Sequence, residues 1–293
     1  MPQDPAPLPA IDAPVRQTAG GTPYLQEPGL ALICMPATDL RGMAAFLGGF
    51  DPELGFAHYL EDPVSLPDAE RLCKAAGQLC YASFGPGRTP NAQAGRYLEN
   101  IKSSGHGSVL EHASFSVLLY GVSRSLTHEL VRHRVGTAVS QISQRYVSGR
   151  VLRFVERPEY AGDPELHELF CARIDAAAAA YARLTELLSA RQRQGQALLS
   201  ADARTDLRKK VQQCSRSLLP NETEAPLVMT ANARAWRHII ELRASAHAEL
   251  EIRAAAIRVC RLLRQAAPLL FADYEERQLP DGTWVVDTPF PKV

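Results

Sequence analysis

The stretch RHRVGTAVSQISQRY, residues 132–146, decides how the rest of this chain is read. Three arginines and a histidine fall within it, in a chain whose 32 Lys and Arg are balanced by 32 Asp and Glu. Cations concentrated in a neutral protein need a local reason, and an anionic ligand such as a phosphate is the first to test. Arg offers a planar fork of donors that matches phosphate oxygens and stays charged at any working pH. The neutral balance argues against a general nucleic-acid binder, which carries a broad basic excess. At about 100° per residue, Arg132 and Arg134 point to nearly opposite sides of a helix. They reach two groups, or one if the helix ends there, and Gly136 favours an end. The run GTAVSQIS (136–143) then reads as a loop beside a ligand, with backbone N–H groups for an anion and Ser140, Gln141 and Ser143 adding side-chain contacts. The competing reading is a solvated helix end with favourable cations near its C-terminus.

Working upstream, Ser123–Arg134 reads as a helix and ASFSVLLYG (113–121) as a strand. A helix is predicted from Ala92 to Ser103, after the loop GPGRTPN (85–91). Another is predicted over Pro67–Tyr81, with Asp68 placed to cap it. Leu30–Pro36 and Ala44–Phe50 suit a strand and a helix, and the Pro- and Gly-rich residues 1–28 suit a loose arm. Downstream, Val151–Glu156 is short and β-prone, and Pro164–Gln194 is a strong helix by propensity. Asp202–Leu219 is a second helix, stopped by Pro220, and Ala231–Ala267 a third, long and amphipathic. The tail, Pro280–Val293, holds a brief strand, TWVVD. The expectation is one α+β domain, predominantly helical, over 29–279 between an N-terminal arm and a C-terminal tail. No apolar run approaches the roughly 18 residues of a membrane span. The N-terminus is Pro-rich and acidic, unlike a signal peptide. Six scattered Cys without a CxxC pair read as reduced thiols, and the cytoplasm is the expected compartment.

Asn232 and Arg243 lie eleven residues apart, close to three helical turns, so they share one face about 16 Å apart. One helix can thus reach two parts of a large ligand. Arg243 sits among Ile239, Ile240 and Leu242, and a buried Arg requires a carboxylate or a ligand. An internal ion pair with Glu241, Glu249 or Glu251 is the alternative. Other chemistries fit less well. His128 and His133 are spaced i, i+5, about 140° apart, whereas a zincin needs i, i+4. His106, Glu111 and His112 lack a partner to complete a metal set. Cys214 lies near Arg216 but in helical context, and Ser143 lacks a nucleophile elbow. Neither GxGxxG nor a P-loop is present.

Five colinear segments together resemble the flavin-dependent thymidylate synthases: GHGSVLEHASFS, GVSRSLTHELVRHR with its following Ser143 and Arg145, SRSLLP, NARAWRHIIELR and HAELEIR. The family signature is RHR, seven or eight residues, Ser, then shortly Arg; this chain has the longer spacing. The resemblance covers roughly residues 70–270. It implies a predominantly helical α+β fold with a small, mostly antiparallel sheet, and a homotetramer with active sites between subunits. It also implies that FAD binds beside dUMP, NADPH reduces the flavin, methylenetetrahydrofolate donates the carbon and dTMP is formed. Carried over by position, Ser108, Arg132, His133, Arg134, Gln141, Asn232, Ala233, Arg234 and His238 are expected to bind FAD. Glu129, Arg132, Gln141, Ser143, Gln144, Arg145, Arg216 and Arg243 are expected to bind dUMP. Arg243 is also the implied catalytic residue, favouring ionisation at the uracil N3 and so raising the nucleophilicity of C5. No metal, membrane or nucleic-acid partner is implied. Two positions depart from the pattern. Glu129 stands where the family usually has Gln, placing a negative charge near an anionic nucleotide unless Arg132 or a proton compensates. His238 stands where some members have Asn. The competing functions are a non-catalytic nucleotide-binding helical protein and a metal-dependent nucleotide hydrolase.

Overall fold

Alternating burial along Ser114–Tyr120 and Leu227–Asn232 makes these the central pair of a sheet whose inner face is the core. The computed structural model describes residues 7–146, 151–194 and 204–293. In chain order the first strands are Ala10–Ile11 (β1), Arg16–Gln17 (β2), Pro23–Leu25 (β3) and Gly29–Cys34 (β4). Helices Ala44–Gly48 (α1), Asp68–Leu79 (α2) and Ala94–Ser103 (α3) follow. Next come Ser114–Tyr120 (β5), Arg124–Leu130 (α4), Thr137–Gln141 (β6) and Phe154–Val155 (β7). Helices Pro158–Ala161 (α5), Pro164–Arg193 (α6) and Arg204–Ser215 (α7) lead to Leu227–Asn232 (β8). That strand runs directly into Ala233–Arg243 (α8), then Leu250–Ala266 (α9), Pro268–Phe271 (α10) and the hairpin Glu275–Gln278 (β9) and Trp284–Asp287 (β10).

The main sheet has the order β1-β4-β5-β8-β6 and is antiparallel throughout. A second, β2-β3-β7, pairs β3 with β7 in parallel. This is the helix-dominated α+β fold with small, mostly antiparallel sheets that the resemblance implies. Phe115, Val117, Leu119, Leu227, Met229 and Ala231 point into the core, against Trp236, Ile239 and Ile240 of α8 and Ile252, Val259 and Leu263 of α9. Each large side chain buried there contributes about 1.5–3 kcal/mol.

Four local expectations change. Residues 136–143 are not loop throughout: Thr137–Gln141 is an edge strand, register-paired with β8 from Ala231 to Leu227, and only the residues either side of it are turn or loop. Residues 7–28, expected as a loose arm, contribute β1, β2 and β3. Asp68 does not cap α2; Pro67 holds the cap position, and the Asp68 carboxylate instead pairs with Arg71 one turn on. The predicted helix over 231–267 is a strand end and two helices. Its break at 244–249 frees carbonyls that find tertiary donors: Arg253 donates to the oxygens of Ala246 (2.8 Å) and Ala248 (2.7 Å), and the Val286 N–H to that of Ala244 (3.0 Å).

A buried charge cluster anchors the middle of α8. Arg237 donates through both terminal nitrogens to Asp273 (2.9 and 2.8 Å), Lys102 donates to the same carboxylate (2.6 Å), and so does Thr288 (2.6 Å). Burial alone would raise the Asp273 carboxyl, but Arg237, Lys102 and Thr288 outweigh it and hold it at about 2. Burial pulls the Lys102 ammonium below its ordinary value, against the opposing pull of Asp273.

Candidate active site

Helix α4 is aimed by its N-terminus. Ser123 caps it, accepting from the Leu126 N–H (3.1 Å), and Glu251 of α9 takes both the Ser123 N–H and hydroxyl at 2.7 Å. The helix stops at Leu130, earlier than the sequence suggests, so the RHR triplet lies in the turn beyond it. Gly136 completes that turn with φ +68°; a Cβ there would lie 2.7 Å from the Asn232 amide nitrogen, so a side chain would strain the backbone and force Asn232 to shift.

The turn delivers His133 to the far end of α8. Arg243 donates from Nε to His133 Nε2 (3.0 Å), from Nη1 to Glu129 Oε2 (2.6 Å) and from Nη2 to the Glu129 carbonyl (3.4 Å). The three acidic partners suggested by sequence proximity are engaged elsewhere: Glu241 accepts from the Lys292 N–H, Glu249 pairs with Arg157, and Glu251 holds Ser123. Arg243 also answers the Glu129 departure, since it, and not Arg132, neutralises that carboxylate. The His238 ring stands edge-on to His133 at 5.8 Å.

Burial first, then the Arg243 and His238 charges, hold His133 at about 4. Accepting at Nε2 leaves its proton on Nδ1. The sign for stability follows. Below the ordinary value of 6.5 the unfolded chain takes up a proton that the folded chain refuses, so this residue costs stability as pH falls from 6.5 towards 4. The melting temperature should therefore drop across that window, and His133→Asn should flatten the drop. An unchanged slope in the variant would reject the assignment.

At the near end of α8, Asn232 caps the helix by accepting from the Ala235 N–H (2.8 Å). Ala233 is fully buried and its N–H is spent on the Ala113 carbonyl (2.7 Å). Ser108, His106, Tyr81 and Arg234 line a cleft of about 310 Å³ beside it. Arg234 pairs there with Glu111 (2.6 Å). Sequence reasoning missed Tyr81 as a wall of this cleft; its only signal is an aromatic at the end of a helix, and it stands 71% exposed.

In the loop after β6, the Ser143 hydroxyl accepts from the Arg145 N–H (3.3 Å), and the Arg145 guanidinium lies 5.4 Å from the Tyr146 ring. Lys209 of α7 lies 5.6 Å from that same ring, so the loop borders the helix that leads into Arg216. Gln141 is half-buried in β6, and Gln144 turns inward: its amide nitrogen is buried without a partner, in a small cavity with Tyr181, Leu219 and Thr223. Among the described residues, Arg132, Arg134, Arg145 and Arg216 have no carboxylate within ion-pair distance, leaving surplus positive charge for an anion. Also among the described residues, no group of three or more His, Cys, Asp or Glu is placed to hold a metal, and no helix is long and apolar enough to cross a membrane.

The family described as thymidylate synthase complementing protein matches residues 64–269, a span that includes every residue placed above in the two ends of α8 and the arginine turn. A flavin-dependent thymidylate synthase of Mycobacterium sp. (strain KMS) is 47% identical over 223 residues, covering 74% of this chain and 85% of the relative. The chain belongs to the flavin-dependent thymidylate synthase family. Further family members include those of Mycobacterium avium (strain 104), 45% identical over 218 residues (74% of this chain, 84% of the relative), and Corynebacterium diphtheriae, 40% over 224 residues (76% and 86%). A solved structure, a UMP/dUMP methylase PolB from Streptomyces cacaoi bound with 5-Br dUMP, aligns with TM-score 0.55 at 18% identity, over 84% of this chain and 94% of that one. That likeness supports the fold of the family and nothing finer.

Proposed function

We propose that the chain converts dUMP to dTMP, taking the carbon from methylenetetrahydrofolate and the hydride from FAD reduced by NADPH. The observation that carries this reading is Arg243, a guanidinium held in place by Glu129 and His133 at one end of α8, with the Ser108–Arg234 cleft at the other. The donor set fits a flavin dinucleotide: Ser108, Arg132, Arg134, Asn232, Arg234 and His238 offer hydroxyl, guanidinium, amide and imidazole groups suited to its diphosphate and ring carbonyls. When bound and reduced, the flavin supplies the hydride. Ser143, Arg145 and Arg216 take the nucleotide phosphate, with Gln144 requiring a turn of its side chain to join them. Arg243 then stabilises negative charge on the pyrimidine ring in a partly dry site. No thiol nucleophile is required, consistent with Cys73 and Cys260, which burial pushes up to about 12.

The homotetramer with sites between subunits belongs to the same proposal, as does the cytoplasm. Support comes from α6, which buries only Phe170, Ile174 and Tyr181 along its 30 residues while exposing Leu166, Leu169 and Leu187.

The visible spectrum of the purified protein tests the function. Flavin bands that bleach with NADPH, followed by dTMP formation when dUMP and the folate are added, are expected. A protein that stays colourless after incubation with FAD overturns the reading. Arg145→Ala should raise the apparent dUMP constant about tenfold or more while flavin reduction by NADPH changes little. An unchanged dUMP constant would remove Arg145 from the phosphate site.

A further inference from the structure

The Arg243 guanidinium is engaged on every nitrogen. Nε, Nη1 and Nη2 each donate within this chain, to His133 Nε2 at 3.0 Å, Glu129 Oε2 at 2.6 Å and the Glu129 carbonyl at 3.4 Å. Three contacts around a planar group fix both its position and the orientation of its plane. By the donor inventory, Nη1 and Nη2 each retain one further N–H. The Arg243 side chain is 22% exposed, so it is not sealed off from a ligand. Arg is otherwise a long, freely rotating side chain, and a guanidinium that must meet the edge of a pyrimidine ring loses much of its effect when its direction wanders.

We propose that Glu129 and His133 are positioning residues that act on the nucleotide through Arg243, an inference that rests on the function proposed above. The carboxylate at 129 is therefore not a contact to the nucleotide in its own right. Left alone beside an anionic ligand it would repel it; paired to Arg243 its own charge is compensated, and what it contributes is the direction in which the guanidinium presents its remaining donors. Attraction for the nucleotide phosphate is left to Arg145 and Arg216, which have no carboxylate partner among the described residues. His133 completes the hold only as a neutral ring, because a protonated one would have no lone pair at Nε2 and would face Arg243 as a like charge. The surrounding charged and titratable groups are Glu129 from α4 and His238 and Arg243 from α8. His133 thus gives the hold a neutral arm, and Glu129 gives it a charged one.

A double-mutant cycle on dUMP affinity separates this from a direct role. The cycle compares wild type, Glu129→Ala, Arg243→Ala and the double variant as flavin-loaded proteins, reading dUMP binding by calorimetry. Glu129→Ala should weaken dUMP about tenfold, and turnover at saturating dUMP should fall as well. Glu129→Gln should recover most of both, since its amide oxygen still accepts from Nη1. In the Arg243→Ala background, removing Glu129 should cause no further weakening, because the group it acts through is gone. Equal weakening in both backgrounds would show that Glu129 works on the ligand directly, and unchanged or tighter binding in Glu129→Ala would show that it positions nothing; either result overturns the proposal. Failure of the underlying function would look different, as absence of flavin or dUMP binding in the wild type.

Discussion

Arg243→Ala is expected to abolish dTMP formation, lowering kcat by about 100- to 1000-fold or more, while the protein remains yellow and is still bleached by NADPH. The separation follows from where the residue sits. Arg243 is the last residue of α8, three turns from Asn232 and from the cleft shared by Ser108 and Arg234, so its loss leaves that cleft intact. What disappears is the fixed positive charge beside the pyrimidine. The loss has a second part: Glu129 loses the cation that neutralises it and is left as an uncompensated carboxylate where the nucleotide should lie. Arg243→Lys should recover little, since an ammonium keeps the charge but cannot satisfy Glu129 and His133 together with a planar fork. Rapid-mixing measurements of flavin reduction, beside a direct assay of dTMP, distinguish the two half-reactions. Near-wild-type turnover in Arg243→Ala would remove it from the catalytic role.

Asp273→Ala should produce the largest loss of stability of any single change considered. The carboxylate is the common acceptor of Arg237 and Lys102, all three side chains being at least nine-tenths buried. Its removal strands two cations in the core, for which about 3–5 kcal/mol is typical of breaking a buried pair, or a fall in melting temperature of about 10 °C. Exchanging all three groups for apolar residues of similar volume should cost less than the single change, because no charge is then left unpartnered. The folded carboxyl lies at about 2, below its ordinary 3.8, so the cluster's contribution is complete above the ordinary value and is lost as pH falls through about 2. A melting temperature within a degree or two of wild type in Asp273→Ala would mean that the cluster is not a major source of stability.

The elements readable in advance were those whose pattern is local. Alternation along Ser114–Tyr120 and the alanine-rich run within Pro164–Arg193 announce a strand and a helix without outside help. The family resemblance likewise rests on contiguous motifs. Elements that depend on distant partners were misread. Thr137–Gln141 carries a weak alternation of its own, but its small polar residues look like loop until β8 is there to pair them. The break after Arg243 occurs in sequence that favours helix, and it is sustained in part by Val286, which lies 42 residues beyond Ala244 and is not local to it. The pairing of Arg243 with Glu129 spans 114 residues, while three nearer glutamates offered themselves as well. At the candidate site, residue types were legible and their mutual contacts were not, because the contacts are made by the fold.

The anchoring of α8 has a consequence for how this chain can vary. Trp236 and Arg237 are locked in its middle, Asn232 and Gly136 meet at its start, and Glu129 and His133 hold its last residue. One residue inserted between 232 and 243 would turn everything beyond it by about 100° and shift it about 1.5 Å, and no slack at either end would absorb the error. Side chains along this segment are open to exchange, but its length is not. Insertions and deletions should be tolerated instead in stretches such as 37–66, where only short helical turns, outside most of the family-matched span, have to readjust.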